Sequence, residues 1–160
     1  MNENTSPRPK KNRFFDMSAY KTLVDSSQEQ KRMGVEEIIQ AELKREGREA
    51  EFQKFYMTLV QMLKMPNYRM MRSGNSLLLL NITAPHQGII HLMTAENPRG
   101  ILISATEFAK ALKIAGYKSV KTTMKNKNLA DLAGKAAESA GVKYAVQVNP
   151  QGGFDVEWRE

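Results

Sequence analysis

The sequence predicts an α+β fold: a mixed, mainly antiparallel sheet covered by helices, preceded by a mostly extended N-terminal arm. Three observations predict it. Apolar residues recur at helical spacing up to Pro66, the period then switches to that of strands, and strand and helix patterns alternate from Ala95 to the C-terminal hairpin. At 160 residues the chain suits one domain, read as an arm over 1–16 and a domain over 17–160 with a helical part (17–65) and a sheet part (68–158).

Hydrophobic residues make up 41% and charged residues 26%, values of a globular protein, and no apolar run approaches bilayer-spanning length. Cysteine is absent, which excludes disulfides, thiolate zinc sites and thiol nucleophiles. Met1 to Lys11 has no apolar core of a secretory signal, so a cytoplasmic protein is the default expectation. The formal charge is +7, and Arg8, Lys10, Lys11 and Arg13 against Glu3 place +3 of it in the first thirteen residues. Such an arm suits contact with nucleic acid or with an acidic neighbouring subunit; a solvated tail is the equal alternative. Phe14 and Phe15 end the arm as candidate docking anchors, with covering of the first helix at least as good a reading.

Helical spacing runs from Ser18 to about Glu46, with Tyr20, Leu23 and Val24 on one face and Val35, Ile38, Ile39 and Leu43 on another. Ser27 and Gln30 suit a capping box, and Gly34 a break. Glu49 to Met65 is amphipathic through Phe52, Phe55, Tyr56, Leu59, Met62 and Leu63, and Pro66 stops it. This aromatic stripe reads as core packing. Tyr68–Arg72 and Leu77–Thr83 form a hairpin about Gly74 and Asn75, and Ala84–Gln87 turns into a third strand, Gly88–Thr94. Ala95–Gly100 reads as a loop, Ala105–Ala115 as a helix ended by Gly116, and Lys118–Met124 as a strand. A helix over Asn128–Ala140 closes on Gly141, and Val142–Asn149 with Phe154–Trp158 makes a terminal hairpin around Pro150–Gly153.

This order, with KALKIAGYKSVKTTMKNKNLADLAGKAAESAGVKY, resembles the acetyl-CoA-dependent N-acetyltransferase (GNAT) superfamily. The residues that carry it are Gly116-Tyr117, Ser119–Met124, Asn126 or Asn128, and Ala140-Gly141. The succession NYRMMRSGNSLLLL, HLMTAENPRG, EFAKALKIAGYKSV is similar to GNAT-like proteins of tailed-bacteriophage particles. The resemblance covers roughly 68–158.

In that superfamily a Q/R-x-x-G-x-G/A loop at the start of the first crossover helix holds the cofactor pyrophosphate. Here Arg99 takes the basic position, and Leu102 and Ser104 stand where the glycines belong. Their β-carbons obstruct the pyrophosphate. Ser104-Ala105-Thr106-Glu107 reads as a capping box, which sets a carboxylate where phosphate should sit. At an effective dielectric near 20 two charges about 4 Å apart repel by roughly 4 kcal/mol, roughly three decades of affinity. Arg99 offsets part of this.

The family's general-acid tyrosine is also missing, because Leu132 and Ala133 occupy the nearest positions and Tyr144 lies beyond the helix. Glu96, where a general base would stand, reads as a solvated loop residue, His91 as a hydrogen-bonded sheet histidine, and His86 lacks a second ligand at metal spacing. Lys110, Lys113, Lys118, Lys121, Lys125 and Lys127 read as solvated faces.

The resemblance therefore implies no catalytic, cofactor-binding or metal residues and no cofactor. The leading expectation is a non-catalytic acetyltransferase-like assembly component of a bacteriophage virion, located in the virion if phage-encoded and otherwise in the cytoplasm. Its expected partners are other protein subunits, with nucleic acid through 1–13 as a further one and no membrane. The alternatives are an active acetyl-CoA-dependent acyltransferase and a DNA- or RNA-binding accessory protein acting through the arm.

Overall fold

A computed structural model describes residues 32–160. The arm, its Arg8, Lys10, Lys11, Arg13, Phe14 and Phe15, and the Ser27/Gln30 cap lie outside the described residues.

Helix α1 (Val35–Arg45) begins immediately after Gly34, whose N–H donates to Glu37 Oε1 at 2.7 Å. Glu36 and Glu37 in its first turn and Lys44 and Arg45 in its last match the helix dipole. It buries Ile38, Ile39, Glu42 and Leu43. A short 3₁₀ turn (Glu49–Glu51) leads into α2 (Phe52–Leu63), where Phe52 and Tyr56 stack at 5.6 Å between ring centroids.

The strands β1 (Tyr68–Ser73), β2 (Ser76–Ala84) and β3 (Gln87–Thr94) form the antiparallel meander. In the first turn Gly74 has φ +57° while Asn75 does not have positive φ, the pattern of a type II′ hairpin. In the second, Pro85 precedes His86, and His86 takes φ 64°. Then follow α3 (Pro98–Ile114), β4 (Ser119–Met124), α4 (Lys127–Ala140), β5 (Lys143–Val148) and β6 (Phe154–Arg159). Gly141 ends α4 in the left-handed region at φ 73°.

The six strands lie in the order β1-β2-β3-β4-β6-β5. Every neighbouring pair is antiparallel except β3 and β4, which run parallel and pair only from Gln87–Ile89 to Ser119–Lys121. A parallel pair needs a crossover, and α3 supplies it. The fold is therefore α+β with a mixed, mostly antiparallel sheet.

Alternation along the strands builds two cores. Leu77, Leu79 and Met93 meet α1 and α2, while Leu78, Leu80, Ile90, Val120, Val156 and Trp158 meet α3 and α4. No described helix is long and apolar enough to cross a membrane.

One helix differs from its sequence expectation in a way that matters for the site. The Ala95–Gly100 stretch is not all loop: α3 starts at Pro98, seven residues before the expected Ala105. Asn97 is its cap, its side chain accepting the Gly100 N–H at 2.9 Å, and Pro98 takes the first helical position, where a missing N–H costs nothing. Ser104 and Glu107 are then interior helical residues, and the capping box expected of them does not exist.

Candidate functional site

The stretch 99–104, where the resemblance would set a phosphate loop, lies inside α3, and the side chain of Glu96 folds over the start of that helix. Glu96 stands two residues past the end of β3, and its carboxylate folds back over the helix start, leaving the residue 7% exposed. The expectation of a solvated loop glutamate is corrected. Its Oε2 accepts the Asn75 N–H at 2.6 Å across the chain from the β1–β2 turn. Two glycines make room for it. A β-carbon on Gly74 would stand 2.8 Å from Glu96 Oε2, and one on Gly100 would overlap Oε1 and come within 2.9 Å of Glu96 Cβ.

A network of buried polar groups surrounds this carboxylate. The Glu96 N–H donates to Thr94 Oγ1 at 2.9 Å, the Thr94 and Ser76 hydroxyls bond at 2.7 Å, and the Thr94 N–H donates to Glu42 Oε1 at 3.0 Å. Ser104 Oγ donates to the Ser73 carbonyl at 3.0 Å, which ties α3 to the turn. The Asn75 side chain accepts from the Met33 N–H (3.0 Å) and from Arg72 (3.2 Å). Arg72 also donates to the Gly74 (2.9 Å) and Met33 (2.6 Å) carbonyls. Glu42 is ion-paired with Arg45, and burial pushes its carboxyl above the ordinary value.

This arrangement joins α1, the β1–β2 turn, the end of β3 and the start of α3. The donors just described are matched to acceptors, whereas the Ser73 hydroxyl is buried without a hydrogen-bond partner among the described residues. A phosphate approaching α3 would meet the Glu96 carboxylate instead of open N–H groups. Arg99, expected as an offsetting charge, is exposed in the first turn.

A cleft of about 470 Å³ lies between α2 and the β1–β3 face. Phe55, Leu59, Met62, Leu79 and Ile89 give it an apolar lining, and Arg48, Lys54 and His91 stand among its polar groups. Arg48 is spoken for: it pairs with Glu46 at 3.1 Å and Glu51 at 3.0 Å, and its guanidinium lies 5.8 Å from the Phe55 ring centroid. His91 makes no side-chain hydrogen bond among the described residues, which corrects the expectation of a hydrogen-bonded sheet histidine. Surrounding protein desolvates its ring and lowers its pKa although the residue keeps an exposed edge; Glu46 opposes the shift and Arg48 adds to it.

Tyr144 sits on β5, beyond β4 and β6 from the β3–α3 junction, with its hydroxyl donating to Glu138 Oε2 at 3.2 Å and its ring against Gly134. It is not brought to the start of α3. Leu132 and Ala133 lie in α4, and the Ala133 carbonyl accepts the Trp158 indole N–H at 3.0 Å. Glu107 is left with Oε1 buried and without a hydrogen-bond partner, and desolvation raises its pKa while Lys110 opposes. No group of three or more His, Cys, Asp or Glu among the described residues is placed to hold a metal ion.

Sequence reasoning found Glu96 as a position and missed its network. Ser73, Asn75, Ser76 and Thr94 are polar residues at strand ends or in the turn, ordinary there; Thr94 is two positions from Glu96, and only the hairpin brings the other three to it from some twenty positions away. Gly100, four positions after Glu96, is the one nearby glycine in the sequence; Gly74 meets the carboxylate only through the fold. Comparison with protein-family models and with curated proteins gives no match.

Proposed function

We propose that this protein is a non-catalytic, acetyltransferase-like structural or assembly component, of the kind that the resemblance associates with bacteriophage particles. The observation that carries the reading is the Glu96 carboxylate seated against the first turn of α3, between Gly74 and Gly100. The positions where the resemblance would set phosphate-binding glycines carry Leu102 and Ser104, and the two glycines at the helix start make room for a carboxylate of the same chain. Support for the likeness itself comes from the element order: a meander, a crossover helix, a parallel fourth strand, a second helix and a terminal hairpin. The partners of such a component are other protein subunits, and its place is the particle.

Isothermal titration with acetyl-CoA tests this. The expected result is no binding heat up to about 1 mM; a micromolar Kd overturns the proposal. The second reading, an active acyltransferase, draws on the cleft beneath α2, whose volume and apolar lining suit a small ligand. The same titration decides between them.

A further inference from the structure

The two edges of the sheet are treated differently by the sequence. On β1, Arg69 donates to the Tyr68 carbonyl at 2.9 Å and to the Pro66 carbonyl, and Arg72 folds over the adjoining turn. Charged side chains laid along an edge strand discourage another strand from pairing there. On the opposite edge, β5 pairs with β6 in unbroken register from Lys143↔Arg159 to Val148↔Phe154, and no described strand lies on its other side. It has no proline, no bulge and one charge, Lys143 at its start. Tyr144, Val146 and Val148 share one face and are 38%, 39% and 74% exposed.

We infer that β5 is a self-association edge: a second copy adds its own β5 antiparallel across a two-fold axis through Val146. The inference deepens the assembly reading and rests on it only for its biological purpose. The evidence for a second copy, as opposed to an unrelated strand, is that the pattern is its own complement. About Val146, Tyr144 faces the partner's Val148, Val146 faces the partner's Val146, and Ala145 faces the partner's Gln147. Lys143 faces the partner's Asn149, so no like charges oppose. An isologous two-fold contact requires this self-matching of one patch, and aromatic against β-branched residues is a favourable cross-strand pair. Shifting the axis to Ala145 would leave Val148, the most exposed of the three, outside the matched strand. One strand edge covers well under the about 800 Å² per partner of a standard stable interface, so a weak dimer in the micromolar range is expected.

Sedimentation velocity on the full chain, from low micromolar to several hundred micromolar, reads this directly. The expected result is a weight-average mass rising from monomer to dimer, and an association constant at least about tenfold lower in Val146→Lys, which sets two lysines opposite each other at the axis. Val148→Lys, at the most exposed position, gives the same loss and guards against misfolding of the first variant, with far-UV circular dichroism confirming both folds. A chain monomeric throughout overturns the inference and leaves the edge to another protein's strand; association that persists in both variants overturns it in favour of a different surface. Acetyl-CoA binding by a chain that still dimerises through β5 would sink the non-catalytic reading and leave this one standing.

Discussion

Glu96 shows how one carboxylate organises its surroundings. It accepts a backbone N–H from a turn 21 positions earlier and occupies space that two glycines leave open. Glu96→Ala leaves the Asn75 N–H buried without its acceptor and is expected to cost about 1–3 kcal/mol in denaturant unfolding. Gly100→Ala, which drives a β-carbon into Glu96, is expected to cost about 1–3 kcal/mol by overpacking. The two are coupled, so Gly100→Ala should cost at least about 0.5 kcal/mol less in the Glu96→Ala background; additive effects would show that the contact is unimportant.

Glu107 is the opposite case, a carboxyl with a buried and unsatisfied oxygen. Its folded pKa lies above the ordinary 4.5, so the folded protein binds this proton more tightly than the unfolded chain does. The associated stability is present below 4.5 and lost as pH rises through the folded pKa. Glu107→Gln should therefore melt slightly higher than the parent at pH 7, by less than about 1 kcal/mol because solvent screens part of the side chain, with the gap closing in acid. A gap that widens in acid would reverse the assignment.

At the level of elements, α3 teaches the most. The Ser104/Glu107 spacing fits a capping box, yet Asn97 followed by Pro98 fits a helix start equally well, and the earlier start wins because it extends a helix whose Ile101, Ser104, Ala105 and Phe108 are all buried. The extra turns bring Gly100 beneath Glu96 and Ser104 against the Ser73 carbonyl. Asn97→Ala should cost about 1 kcal/mol by loss of the cap, and Asn97→Asp should retain it. Thermal melts of the two variants check this, and equal melting would show that the cap does not contribute.

For the whole molecule, the covering of the sheet is uneven. Among the described residues α1 and α2 cover β1 to β3 on one face, and the β4-β6-β5 half of that face carries polar residues such as Lys121, Asp155, Glu157 and Gln147. On the other face α3 and α4 close over a large apolar core. Among the described residues the sheet has β1 at one edge under arginine side chains, β5 at the other with no strand beyond it, and one short parallel pairing between two antiparallel halves.

The α+β class, the meander, the terminal hairpin and the ends of α3 and α4 were legible because they depend on local signals: a period of 2 or 3.6, and glycines such as Gly74, Gly116 and Gly141 where the chain needs positive φ. Strand order was not legible, since the pairing of β4 with β6 is a long-range choice that no local pattern encodes. The filling of the α3 start lay between these cases. Sequence expected a carboxylate at the start of this helix but assigned it to Glu107, eleven positions beyond Glu96. Tertiary structure decided for Glu96, because only the hairpin closing over the helix start supplies the Asn75 N–H and the glycine-lined space that make a buried carboxylate tolerable.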